Sequence, residues 1–429
     1  MITTEQLHQL LLLADPEARA AQYAAEDKDF INLAVAENVL IFDYLKEQVF
    51  GSLTPLVVGE TKYTRNYGDD ELRTQTARLF SDHFGFTVPP NWIFGVGGVS
   101  AALECLAFSL LAPGDEVLVP APAWQGFRWC FEQRPRCRLR LFTTKNHQIT
   151  VKDVEDALKA YPNAKALVLT NPHNPLGINY AKENLEAIYD LVLKRTKLHI
   201  ISDEIYALSQ TVGVSPAFVS AFTLDAYTRA TADQRARVHM VWGLAKDFGL
   251  SGFKAGFIVS SSQKVHHAVG GKAPDKEMAW FTPMDSLKQW AVKQMLSRTD
   301  GGRLVTTRAM ERYRVRLTEA RGRVGAELVR QKLPFKRDSS AAQFFWLDLS
   351  AWLGRAPDSG AALYPEIDPQ EERLAAWIRD EAKVGLLPGR TLSNPVSGWF
   401  RMCYTATDTD QVLEAVKRVG ELLHGGEAS

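Results

Sequence analysis

The sequence predicts an α/β protein built on a mainly parallel sheet, with a smaller α+β unit beside it. Three observations carry this. The chain has 429 residues, too many for one ordinary core, so two units are expected, one of them large. Between residues 92 and 259, short β-branched apolar runs alternate with helical stretches, the rhythm of a parallel sheet covered on both faces. After Thr282 that rhythm changes to two long helices and a few separated strands.

Residues 1 to about 28 read as a helix polar on one face, and Ile31 to Asn38 as an extended entry segment. A helix is expected from Glu71 to Phe84, after the Gly68-Asp69-Asp70 turn, because acidic residues suit a helix start. A strand at Trp92–Val96 leads into a helix at Ser100–Leu111, closed by Ala112-Pro113-Gly114-Asp115. Strands follow at Glu116–Pro120 and Lys165–Thr170, the latter ended by Asn171-Pro172-His173-Asn174-Pro175. A helix at Lys182–Arg195 precedes strands at Leu198–Ser202, Val238–Trp242 and Ala255–Val259. The second part gives helices near 284–297 and 303–331, a strand at Gln343–Leu349, a helix near 369–383, a Gly385–Arg390 turn, a strand at Trp399–Thr405 and a helix at Asp408–Leu423. Residues 356–362 and the acidic run Glu366–Glu372 read as a surface insertion. The expected division is 1–55 as an arm plus part of the small domain, 56–300 as the large domain and 301–429 as the small one.

Lysine plus arginine balances aspartate plus glutamate, 50 against 50. Nothing electrostatic points to nucleic acid or a membrane as partner. Cys105, Cys130, Cys137 and Cys403 lack zinc or CxxC spacing and read as buried thiols of a reducing compartment. There is no secretory pattern at the start and no apolar stretch of bilayer length, so a soluble cytoplasmic protein is expected.

Ligand groups of open α/β sheets gather beyond the carboxyl ends of the strands. Those ends hold an ordered set here. Gly97-Gly98-Val99-Ser100 opens a helix and suits an anion. Trp124 offers an aromatic plate in the next loop. Two X-Pro steps stiffen the loop presenting Asn174. Asp203, with Tyr206 close behind, ends a hydrophobic strand where a carboxylate is costly without a cation. The apolar run Val238–Trp242 leads to Lys246. A lone strand-end lysine more often reaches back to water, whereas a desolvated one is a nucleophile and a base. An anion cradle, plate, amide, carboxylate and amine together match pyridoxal 5'-phosphate, which needs a Schiff-base lysine and an aspartate for its ring nitrogen.

The chain resembles the fold-type I pyridoxal-phosphate enzymes of the class I/II aminotransferase branch. Within them it is most similar to the 1-aminocyclopropane-1-carboxylate (ACC) synthase group, over roughly residues 30 to 425. The resemblance implies that Lys246 is the Schiff-base lysine and proton shuttle, and that Asp203 pairs with the pyridinium nitrogen. It implies that Asn174 and Tyr206 bond the phenolic oxygen, that Trp124 stacks on the ring, and that Val99 and Ser100 hold the phosphate. Gly398-Trp399-Phe400-Arg401 matches the C-terminal motif whose arginine grips the substrate α-carboxylate. The Tyr63–Arg73 segment matches a loop whose tyrosine, Tyr63 or Tyr67, reaches the phosphate of a neighbouring subunit, implying a homodimer. Ala36-Glu37-Asn38 resembles a segment of ACC synthases that places its glutamate near the substrate; an ordinary helix-capping pair is the other reading.

Three positions depart from the family pattern. Lys254 stands where an arginine normally meets the phosphate, Gly243 replaces serine or threonine, and Ala245 replaces a frequent serine. A hydroxyl and a bidentate arm are thus missing, which predicts weaker cofactor retention. The resemblance implies chemistry on S-adenosylmethionine: α-deprotonation, then loss of methylthioadenosine from Cγ by cyclisation or by replacement onto a second small substrate. The alternatives are a class I/II aminotransferase and, less favoured, a cofactor-binding regulatory module. No metal is expected.

Overall fold

A computed structural model describes residues 27–62, 65, 67–144, 147–270, 284–357 and 368–425. The expected helix at the start and most of the 356–367 stretch lie outside these residues. Seven strands form the large sheet: β1 Ile93–Val96, β2 Glu116–Ala121, β3 Arg138–Thr143, β4 Ala164–Thr170, β5 His199–Asp203, β6 Val238–Gly243 and β7 Gly256–Val259. Their spatial order is β1-β7-β6-β5-β4-β2-β3. β7 runs antiparallel to both neighbours and the remaining pairings are parallel, so the expected α/β class and mainly parallel sheet are present.

Period-two alternation explains how this sheet is buried twice. Val117, Val119, Ala166, Val168, Ile201, Val241 and Ile258 join one core with Leu103 and Leu106 of the helix Val99–Leu110. Their neighbours Leu118, Leu167, Leu169, Ile200, Met240, Trp242 and Phe257 enter the other core. Each such side chain contributes on the order of 1.5–3 kcal/mol by leaving water.

Helix starts follow local chemistry. Asp69 caps Asp70–Phe84 by accepting from the Leu72 N–H at 2.8 Å, and Thr150 with Asp153 forms a capping box on Val151–Ala160. The long helices are Ser286–Ser297 and Val305–Arg330. The second sheet is antiparallel: Phe344–Asp348 pairs with Trp399–Cys403, which pairs with Leu387–Pro388. The entry strand Ile31–Asn32 lies parallel to Val384–Gly385, which brings the start of the chain onto its end.

One expectation fails. Glu371 and Glu372 are buried rather than part of a surface insertion. The Glu371 carboxylate accepts the Arg390 N–H at 2.7 Å and the Gly398 N–H at 2.6 Å. It serves the backbone at two turns, and burial pushes its pKa up to about 7.

Candidate active site

The carboxyl ends of β2, β4, β5 and β6 and the Gly97-Gly98 turn after β1 surround a cavity of about 580 Å³. Glu37, Val99, Ser100, Trp124, Asn174, Asp203, Tyr206, Lys246, Lys254 and Arg401 all line it. Ten of the residues singled out from the sequence are thus brought to one wall. Tyr67 is not among them: its ring lies edge-on to Phe94 at 5.8 Å and under the Arg73 guanidinium at 5.0 Å. Tyr63 lies outside the described residues.

The anion end is built from backbone. Gly98 has φ +95° and precedes the helix Val99–Leu110, a conformation that glycine alone adopts freely. The first N–H groups of this helix have no intrahelical acceptor, and they sit at the positive end of its dipole. Lys254 is exposed and takes a left-handed φ of +49°. A Cβ at Gly98 would come within 3.6 Å of the Lys254 Cα, so the two turns are in contact.

Gly243 has a structural reason. A Cβ there would meet the Ala255 carbonyl oxygen at 2.7 Å, the Gly256 Cα at 3.2 Å and Val99 Cγ2 at 3.3 Å. The missing hydroxyl therefore reflects a close approach of β6, β7 and the helix start, which closes the position to any side chain.

Asp203 sits at the end of β5, 4% exposed. Its carboxylate accepts the Ile205 N–H at 3.3 Å, and burial pushes its pKa up to about 7. The adjacent Glu204 turns the other way, accepting from Ser202 Oγ at 2.9 Å and from the Ala221 N–H at 2.8 Å. Arg401, fully buried on Trp399–Cys403, donates to Asn174 Oδ1 at 2.9 Å and to the Ala34 carbonyl at 2.6 Å, with its Cζ 4.7 Å from the Phe344 ring centre. Tyr206 packs edge-on to the same ring at 5.3 Å. Lys246 lies in the one-turn helix Leu244–Asp247 and donates from Nζ to the Ala36 carbonyl.

The Glu37-Asn38 pair does not cap a helix. Phe42–Gln48 starts without a side-chain cap, and the Asn38 amide instead donates to the Lys246 carbonyl at 2.9 Å. Sequence reasoning also missed Ser251 and Trp129 on the cavity wall. Ser251 Oγ donates to the Ala245 carbonyl at 3.1 Å. Trp129, 37% exposed, stands edge-on to Trp124 at 6.1 Å and opens a π-helical turn, Trp129–Gln133. Such turns recur at functional sites, but nothing local in the sequence marks this one. All four cysteines are buried, and burial raises Cys130 to about 12 and Cys137 to about 11, so they are packing thiols.

The model for class I and II aminotransferases matches residues 58–419. The chain belongs to the class I and II aminotransferase family. As a member of this aminotransferase family it is a pyridoxal-phosphate-dependent enzyme. It is 30% identical over 411 residues to a 1-aminocyclopropane-1-carboxylate synthase of Oryza sativa, covering 91% of this chain and 86% of that one. It is 29% identical to the Glycine max protein of the same description, covering 91% and 79%. Its fold matches an aromatic aminotransferase from Pyrococcus horikoshii with a TM-score of 0.71 at 24% identity, covering 95% of this chain and 99% of that one. The residues of this aminotransferase-family site fit the cofactor. A buried carboxylate with no cationic partner among the described residues suits a protonated ring nitrogen, and a glycine-built helix start suits a phosphate. Among the described residues there is no group able to hold a metal ion, and no helix is long and apolar enough to cross a membrane.

Proposed function

We propose that this enzyme acts on S-adenosylmethionine, removing the α-proton and releasing methylthioadenosine from Cγ. The cyclisation or the attack of a second small substrate then completes the product. The observation that carries this reading is Glu37, which lines the same cavity as Lys246 and Arg401. The similarity to ACC synthases over 91% of the chain supports it.

Pyridoxal phosphate supplies an electron sink that acidifies the α-carbon of a bound amino acid. The protein's own groups do the rest. The Arg401 guanidinium receives the α-carboxylate through its planar fork. Its hydrogen bonds to Asn174 and Ala34 fix its plane in advance. Asn174 gives its oxygen to Arg401, which leaves its N–H donors for the phenolic oxygen, with Tyr206 as a second donor there. Asp203 would hold a proton at the ring nitrogen. Trp124 would lie against the ring, and Val99 and Ser100 with Lys254 would hold the phosphate. Lys246 would hold the cofactor through its amine, and the same Nζ would take the α-proton. Glu37, an acidic residue of the cavity lining, would favour a cationic substrate over a neutral one.

A homodimer belongs to this reading, with the Tyr63 loop contributed across the interface, and so do a large unit at 56–300 and a small one at 301–429 joined by residues 1–55. Transamination of a simple α-amino acid is the alternative, favoured by the fold shared with aminotransferases. Incubation with S-adenosylmethionine and mass-spectrometric detection of methylthioadenosine tests the choice. Absence of the nucleoside, with pyridoxamine phosphate forming from a common amino acid, removes the first reading.

A further inference from the structure

We propose that Asn38 and Gln343 are positioning residues for Lys246, acting on its main chain rather than on any ligand. The inference rests on the assignment of Lys246 as the cofactor-bearing lysine. Neither residue lines the cavity as described, yet both converge on one atom. The Lys246 carbonyl accepts the Asn38 Nδ2 amide at 2.9 Å and the Gln343 Nε2 amide at 2.8 Å, with the Gly249 N–H farther off at 3.3 Å.

The place for two outside donors follows from the local fold. Leu244–Asp247 is a single helical turn, and its own chain offers the Lys246 carbonyl the Phe248 N–H and the Gly249 N–H, the latter at 3.3 Å, so a carbonyl at a helix end has room for closer side-chain donors. Asn38 is oriented by accepting the Leu40 N–H on Oδ1 at 3.1 Å. Gln343 is oriented by donating to Tyr313 Oη at 2.8 Å. Tyr313 in turn shares a 2.9 Å hydrogen bond with Ser209 Oγ, which donates to Asp247 Oδ1 at 2.7 Å. Asp247 also accepts Trp242 Nε1 at 2.8 Å and the Leu208 N–H at 3.1 Å. Residues 246 and 247 are thus held by buried side chains from the entry segment, the turn before Phe344–Asp348, the loop after β5 and strand β6, with Tyr313 of the helix Val305–Arg330 behind two of them.

A lysine stem has four rotatable carbons, so its amine returns to one atom only if its Cα is fixed. A displacement of about 1 Å in a reacting group costs on the order of 100-fold in rate. The segment that supplies Asn38 also supplies the Ala36 carbonyl that accepts Lys246 Nζ. One short stretch therefore holds the residue at its main chain and at its amine.

The test uses holoenzyme and Asn38→Leu and Gln343→Met, which keep approximate shape and remove the donor. The visible absorbance of the lysine-bound cofactor is titrated with pH, because protonation of that nitrogen depends on its distance from neighbouring charges and acceptors. Thr150→Ala is the control, since it removes a helix cap and lowers stability while touching none of the groups around Lys246. The expected result is a midpoint moved by at least about 0.3 pH units in either donor variant, with Thr150→Ala unmoved at a similar loss of melting temperature. Smaller shifts in both donor variants, or an equal shift in Thr150→Ala, would overturn the proposal. If Asn38→Leu does not fold, Gln343→Met alone is read by the same criteria. Wild-type protein without a Lys246-linked absorbance band would instead fail the site assignment, so the two failures are distinguishable.

Discussion

Asp203 is held in a place that suits a carboxylate only when a cation arrives. Its folded pKa is raised to about 7 from the ordinary carboxylate range. Between those limits the native apoprotein holds more protons than the unfolded chain, so its stability falls as pH rises through the window. Glu204, Asp247 and Glu371 are each raised to about 7 as well and add in the same direction. Apoprotein melting temperature is therefore expected to drop between about pH 4 and pH 7, the window between the ordinary carboxylate range and these raised values. Asp203→Asn should reduce that drop by about 2 °C. The same variant should lose about 100-fold or more in kcat as holoenzyme, because the proton on the ring nitrogen loses its counter-charge. Scanning calorimetry of the apo form and steady-state kinetics of the loaded form check the two halves. At Arg401 the prediction has one sign. Arg401→Lys keeps a charge but loses the fork that also engages Asn174 and Ala34. Catalytic efficiency, kcat/KM, should fall on the order of 10–100-fold, chiefly through KM.

The turn around the lysine explains why its departures from the family differ in kind. Position 243 is sealed by the Ala255 carbonyl, so Gly243→Ser should not restore a phosphate contact. It should cost about 1–3 kcal/mol in denaturant unfolding. Position 254 is exposed and open, so Lys254→Arg should tighten cofactor binding by about fivefold to tenfold, since charge-assisted bidentate bonds add of the order of 1 kcal/mol. Equilibrium dialysis measures this. Six of the seven sheet strands were legible, because buried strands are short apolar runs followed by turn residues. The seventh strand and the burial of two carboxylates escaped that reading. β3 alternates exposed Arg138 with half-buried Leu139 at the sheet edge, which looks like a charged loop beside Cys137. Glu371 and Glu372 read as surface because charge density in sequence does not reveal a carboxylate bonded to backbone N–H groups. The cavity residues were legible because strand ends are consecutive landmarks. Asn38 and Gln343 were not, since their bonds to Lys246 span 208 and 97 positions.

Over the whole molecule the exposed apolar side chains are unevenly placed. Val39, Phe42, Leu56, Val57 and Val58 are all exposed within the first 32 described residues, just before the Tyr63 loop. Leu56, Val57 and Val58 are consecutive in the chain, and clustered exposed apolar side chains of this kind mark an interface. Val57→Asp with Val58→Asp is expected to shift the protein to monomer in sedimentation velocity and to abolish activity by withdrawing the Tyr63 loop; a fully active monomer would refute the dimeric reading. The entry segment carries one more consequence. Ala34 meets Arg401 and Glu37 meets Thr405, contacts spanning 367 and 368 positions. During synthesis this stretch leaves the ribosome well before its partners, which are made 367 and 368 positions later. The large sheet has all its strands by residue 259, whereas the Ala34–Arg401 and Glu37–Thr405 contacts form only once residues 401 and 405 are made. A chain halted between Val259 and Trp399 should therefore form its large sheet yet remain catalytically inert.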